Sequence, residues 1–365
     1  MSVTKKRPSF AKIQAFGLAI EKVESDYFKE GTPEEIVKTG DWRLWHKAII
    51  LFALFITTFI LLVWGNLYVN TKVILCITLG LIAASIGFNV GHDANHGSFS
   101  ETKWVNNLVG LSFNFLGVTS SFWKFKHNIL HHTYTNLEGI GDDVAQNGIL
   151  RLHEEQPWKP VYRLQPIYCW LMYGLLYIGW VLKSDFDKYF KGRVGEHKMK
   201  ITKKDRKVFW LTKVFYVTLF WVVPIVFVGF KAWAIGYIIF VFTTGLTTAI
   251  VFQMAHIVEK VSQPSIEIAT KFEWIAHQMA TTANFATRNK FISWFVGGLN
   301  FQIEHHLFPE VSHVYYKPLS EKVKQVCKDF DFPYHVYPTF WSVFVSHFRK
   351  MVQLSKRPKP IDVRL

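Results

Sequence analysis

Fifteen histidines lie in this 365-residue chain, and seven of them fall into three short clusters. The clusters read His92-Asp93-Ala94-Asn95-His96, His127-Asn128-Ile129-Leu130-His131-His132 and Gln302-Ile303-Glu304-His305-His306. His92 and His96, His127 and His131, and Gln302 and His306 are each four residues apart, so on a helix each pair projects from one face on successive turns. Such a pair can hold one metal ion. Neutral imidazole suits iron, copper, nickel and zinc, while Cys76, Cys169 and Cys327 are too scattered for an Fe–S or structural zinc site. His256, just past an apolar run, is an eighth candidate. Eight imidazoles exceed what one four-coordinate ion uses, and two metals sharing them is the economical reading. His46 and His277 read as interfacial or supporting residues, and His153, His197, His335 and His347 as ordinary surface ones.

The elements that must position these clusters are apolar. Uncharged runs extend from Ala48 to Gly65 and from Val73 to Val90, each about 27 Å long as a helix against a hydrocarbon core of roughly 30 Å. A second pair follows: Val214 to Phe230, with a kink expected at Pro224, then Ala232 to Ala255. The links between paired runs hold one basic residue each, whereas residues 1–47 carry nine Lys/Arg, and Lys183 to Lys207 carry ten against four acids. The positive-inside rule therefore puts both termini and the long middle and C-terminal segments in the cytosol. His92 follows the second run and His256 the fourth, so all clusters converge on that face. Leu108 to Ser120 and Ile167 to Leu182 read as interfacial or partly inserted helices, because either one spanning alone would invert the topology. Thr32-Pro33-Glu34-Glu35 carries a helix-start signal running toward Lys38.

Composition excludes other classes. Half the residues are hydrophobic, 17% are aromatic and 19% charged, with a formal net charge of +15 and a mean hydropathy of +0.14. A disordered polymer, a disulfide scaffold and an ordinary soluble domain each have a different balance. The reading is an all-α integral membrane protein: four transmembrane helices in two hairpins (about 48–65, 73–91, 208–230 and 232–255), with a cytosolic helical cap holding a di-metal histidine site. Residues 1–47 form a cytosolic segment without a signal peptide, 48–345 the membrane domain and 346–365 a basic tail. No nucleic-acid partner is expected.

The three clusters, in this order around two hairpins, resemble the histidine boxes of integral-membrane fatty acid desaturases. Phe88-Asn89-Val90-Gly91 before the first box and Leu307-Phe308-Pro309 after the third fit the same family. Gln302, where the third box would begin with histidine, is similar to the front-end (Δ5/Δ6-type) group, which desaturates between an existing double bond and the carboxyl end. The resemblance implies two iron ions, O2 as co-substrate and a fatty acyl substrate, acyl-CoA or acyl-lipid, in a bacterial inner membrane or endoplasmic reticulum. It carries ligand roles onto His92, His96, His127, His131, His132, His305 and His306, and His256 matches the family's extra histidine. For Gln302 it leaves three roles open: ligation through the amide oxygen, binding through water, or shaping the site. The H-P-G-G haem domain fused to many front-end members is missing from this sequence, so electrons are expected from a separate ferredoxin or small b-type cytochrome.

Acids should orient the imidazoles by accepting the ring N–H that faces away from metal, and Asp93, Glu304, Asp142 and Asp143 are the candidates. His277 with Gln278 is a further pair read as facing the substrate or supporting the ligands. Two other readings compete: a di-iron membrane hydroxylase or ketolase using similar boxes, and a haem-binding membrane electron carrier, which would place its histidines inside the bilayer.

Overall fold

A computed structural model describes residues 9–29, 37–138, 148–264 and 271–358. Thr32-Pro33-Glu34-Glu35 lies outside these described residues.

Four helices are long and apolar enough to cross a membrane: Trp42–Trp64, Val69–His96, Lys203–Val228 and Phe230–His256. They contain 23 to 28 residues, about 35–42 Å at a rise of 1.5 Å per residue, so their ends stand clear of the hydrocarbon. Each helix extends beyond its apolar run. The first begins at Trp42 rather than near residue 48, capped by Asp41, whose carboxylate accepts Arg43 N–H at 2.8 Å. It carries Lys47 inside the protein because Asn89 Oδ1 takes the ammonium at 2.6 Å. A scan for uncharged residues stops at that lysine; the helix does not. The third begins at a capping box in which Thr202 and Asp205 satisfy each other's backbone N–H.

The second and fourth spans pack side by side. A Cβ on Gly80 would meet Thr243 Cβ at 2.8 Å and Phe240 O at 2.9 Å, so this crossing needs glycine. The break at Pro224 takes the form of an i→i+5 turn over Thr218–Val222. Proline has no N–H for the carbonyl four residues back, and Trp233 Nε1 donates to that Phe220 oxygen instead, at 2.8 Å.

Ile167 to Leu182 belongs to two helices, Pro160–Gly174 and Leu176–Lys191, bent by 59°. A buried ion pair fastens them to the third span: Lys213 Nζ lies 2.9 Å from Asp185 Oδ2 and also donates to Gly117 O and Val181 O. Leu108 to Ser120 is broken into short helices, including Lys103–Val109 and Ser112–Phe115.

The cap is helical. Phe10–Lys29 buries Phe16, Ile20 and Val23 in one cluster with Ile275 and Met279 of Lys271–Thr281 and Leu319 and Val323 of Tyr316–Asp329. Asn284–Phe285 pairs in parallel with Val336–Tyr337, drawing the stretch before the third box against the C-terminal region. Phe340–Ser355 runs straight through the domain boundary expected at 345/346 and buries His347, Lys350, Met351 and Leu354.

Candidate metal centre

Local helix geometry aims the boxes. The second span opens into an i→i+5 turn over Gly87–Gly91 before closing again as the α-turn His92–His96. Gly297, at φ +60°, sits against that turn: a Cβ there would lie 2.5 Å from Phe88 O, so only glycine lets the loop ahead of the third box approach. The second box lies in another i→i+5 turn, Phe125–His131. A wider turn brings residues four and five positions on beneath the first, so His127, His131 and His132 all face inward, where an α-helix would turn His132 aside. The third box is the α-helix Gln302–Leu307, with Gln302, His305 and His306 on one face.

These turns gather the imidazoles into two neighbouring groups. Ligand nitrogens of His92, His96, His127 and His305 all lie within 4.8 Å of one another, as do those of His131, His256 and His306, while His132 groups with His305 and His306. His131 Nε2 is 3.2 Å from His306 Nε2, and His132 Nε2 is 3.3 Å from His127 Nε2.

Hydrogen bonds fix which nitrogen faces the centre. Gln278 Nε2 donates to His132 O at 2.9 Å, which turns its Oε1 toward His306 Nδ1 at 2.8 Å. An amide oxygen only accepts, so His306 carries its proton on Nδ1 and presents a bare Nε2. Thr281 O does the same for His256 Nδ1 at 3.2 Å. Tyr316 Oη lies 3.1 Å from His305 Nδ1. His92 Nε2, His96 Nε2 and His305 Nε2 are buried with no hydrogen-bond partner among the described residues. Lone pairs buried without protons are costly unless something electrophilic takes them. The donor set therefore fits metal ions. Burial, reinforced by neighbouring imidazoles, holds His127, His132, His305 and His306 well below the ordinary imidazole range, so they stay neutral as ligands must.

A model of the fatty acid desaturase family matches residues 68–338. The chain belongs to that family. The desaturase is 31% identical over 97% of its length to the sn-1 linoleoyl-lipid 6-desaturase of Synechocystis sp., covering 99% of that protein. It is 32% identical over 93% of its length to the acyl-lipid (8-3)-desaturase of Physcomitrium patens, covering 71% of it. It is an integral-membrane enzyme that introduces double bonds into fatty acyl chains, and its histidine cluster is compatible with a di-metal site.

The supporting acids depart from expectation. Glu304 faces away from the box histidines: its oxygens accept from Asn284 Nδ2 and Tyr334 Oη, each at 2.8 Å, and burial pushes its carboxyl up to about 7. On a helix that turns Gln302, His305 and His306 inward, Glu304 must point elsewhere. Asp93 Oδ1 approaches His92 Nδ1 only to 3.7 Å, beyond a hydrogen bond, while its Oδ2 accepts from Ser312 Oγ at 2.8 Å and His313 Nδ1 at 2.9 Å. Asp142 and Asp143 lie outside the described residues. His277 Nε2 meets Thr135 O at 2.8 Å, bracing the loop after the second box rather than touching an imidazole of the cluster.

Sequence reasoning missed His313 and Tyr316, whereas Gln278, expected as a supporting residue, does orient His306. His313 donates to Asp93 and accepts from Lys47 Nζ at 3.1 Å, linking the first span to the first box. His347 and His153 are fully buried rather than surface residues. His347 Nδ1 donates to Ile257 O at 2.7 Å, directly after His256, and its Nε2 takes the Tyr173 hydroxyl at 3.0 Å.

Two small cavities open onto the cluster. One, about 110 Å³, reaches His127, His131 and His256; the other, about 40 Å³, reaches His92; Trp123, Trp180 and Phe252 line both. A hydrophobic cavity of about 620 Å³ beside Lys72 and Lys231 opens at the other end of the spans and is lined by none of the box histidines.

Proposed function

We propose that this chain is an oxygen-dependent, di-iron, front-end acyl-lipid desaturase. The carrying observation is the double imidazole cluster, its ring nitrogens directed inward, at the meeting of an apolar cavity and a second one of mixed lining. His92, His96, His127 and His305 would hold one iron and His131, His256 and His306 the other, with His132 between them and Gln302, on the same helix face, binding directly or through water. When bound and reduced, the irons supply with O2 the oxidant needed to break unactivated C–H bonds.

The protein's own part is placement. Trp123, stacked on His127 with ring centroids 4.2 Å apart, and Phe252 bound the space where two adjacent methylenes would lie. Apolar walls exclude water from the reacting carbons. The front-end reading draws support from the polar side chains of Asn136 and Gln253 in the cavity beside the second histidine group. In front-end chemistry the reacting carbons are near the carboxyl end, so the polar end of the substrate must lie near the metals. The 6-desaturase and (8-3)-desaturase names of the relatives agree with that geometry. The excess of Lys/Arg in the terminal and middle segments supports reading both termini and the centre as cytosolic, with a separate ferredoxin or b-type cytochrome as the electron donor.

Metal analysis of the purified enzyme tests the ligand set. Two irons per chain, with His305→Ala losing at least one iron together with product formation, is the expected result; full iron and full activity in the variant would remove His305 from the set.

A further inference from the structure

Forming one C=C bond from two adjacent methylenes releases two electrons and two protons, and reducing O2 to two waters consumes four of each. Every turnover of the proposed reaction thus takes two electrons and two protons from outside substrate and O2. The electrons need an entry point.

A crevice of about 1080 Å³ lies on the cap, lined by Lys260, Arg288, Lys317, Lys324 and Lys328 against the single carboxylate of Glu321. All five cations are exposed, and none forms an ion pair with another described residue. Uncompensated positive charge in a concave surface attracts an acidic partner and speeds its encounter. The crevice also connects to the metal centre. Tyr334 forms part of its wall, and the Tyr334 hydroxyl donates to Glu304 Oε1 at 2.8 Å. Glu304 is joined by a peptide bond to His305, whose Nε2 faces the first histidine group. One hydrogen bond and a stretch of covalent backbone therefore span from crevice wall to candidate ligand.

We infer that this crevice is the docking site of a small acidic one-electron carrier protein, which delivers each electron beside His305. The inference rests on the desaturase reaction proposed above, which creates the demand for electrons.

The full-length enzyme in lipid nanodiscs is assayed with two reduced probes, a plant-type [2Fe–2S] ferredoxin and the soluble haem domain of a small b-type cytochrome, and separately in a single turnover after anaerobic prereduction with dithionite, which is removed before O2 is added. The crevice variant is Lys324→Glu/Lys328→Glu, and Lys203→Glu/Lys204→Glu is a charge-matched control at the start of the third span. The crevice variant should lose about ten-fold or more of carrier-driven turnover at low salt, with a weaker salt dependence than the wild type. The control should stay within about two-fold of wild type, and dithionite-driven product should be equal in all three. Unchanged carrier-driven turnover in the crevice variant, an equal loss in the control, or turnover with dithionite but neither carrier would overturn the docking site. Absence of product from the wild type with both carriers and after prereduction would instead overturn the proposed di-iron reaction, and the docking site with it.

Discussion

Gln278 holds His306 in one tautomer: its Oε1 is 2.8 Å from His306 Nδ1, and its Nε2 is pinned to His132 O at 2.9 Å. One amide thus ties the second box to the third and decides which ring nitrogen faces the centre. Replacing Gln278 with Leu should reduce metal affinity by about 10- to 100-fold, the usual effect of removing the partner that orients a ligating imidazole. Iron content after graded chelation measures it; wild-type retention would show that the amide is dispensable.

The boxes were legible because a histidine pair four residues apart implies a shared face whatever the surroundings. The i→i+5 turns at Gly87–Gly91 and Phe125–His131 were not, since no residue type marks them and tertiary packing selects them. Their effect is largest at His132, which spacing alone would turn away. His313 escaped notice because it is solitary in sequence and meets Asp93 across 220 positions. Glu304 neighbours His305 in sequence, but helix phase turns it aside. His347 looked like part of a basic tail, yet its helix packs a buried face that the charges around it conceal.

The Lys213–Asp185 pair is a buried fastening between the third span and the bent helices. Both side chains are buried, and Asp185 Oδ2 also accepts from Thr119 N and Oγ1, each at 2.7 Å. Lys213→Met should destabilise the fold by about 3–5 kcal/mol, because it leaves a carboxylate buried without its cation. The double variant Lys213→Met/Asp185→Leu should recover part of that loss. Thermal unfolding in detergent gives both values, and a single variant as stable as wild type would show that the pair does not hold these elements together.

His347 supplies a pH dependence separate from the metal ligands. Burial pushes its imidazole down to about 4, whereas an unfolded histidine titrates near 6.5. Above about pH 6.5 both states are neutral and the group contributes no slope. As pH falls from about 6.5 to about 4, the unfolded chain takes up a proton that the folded chain refuses, costing up to about 3 kcal/mol. His347→Gln keeps a donor for Ile257 O and removes the titration. Its melting temperature should fall less steeply than that of wild type over this window, and parallel curves would contradict the assignment.

Ala249 lines the cavity beside the second histidine group and is itself buried. Ala249→Phe would fill much of about 110 Å³ without touching a candidate ligand. Activity on long acyl chains should drop by about ten-fold or more, since the ring takes space the acyl chain would need and a misfit of one methylene in a substrate pocket costs roughly 1–3 kcal/mol, while iron content is kept. Unchanged activity and chain-length preference would place the substrate elsewhere.

The central claim is a front-end desaturation carried out by this histidine centre. Its most direct test is expression of the wild type and of His305→Ala in a host lacking desaturases, supplied with deuterium-labelled linoleoyl lipid, with double bonds mapped by mass spectrometry. The account predicts a new double bond between the existing ones and the carboxyl end in the wild type only. A hydroxylated product with no new alkene, or a new double bond on the methyl side, would contradict it.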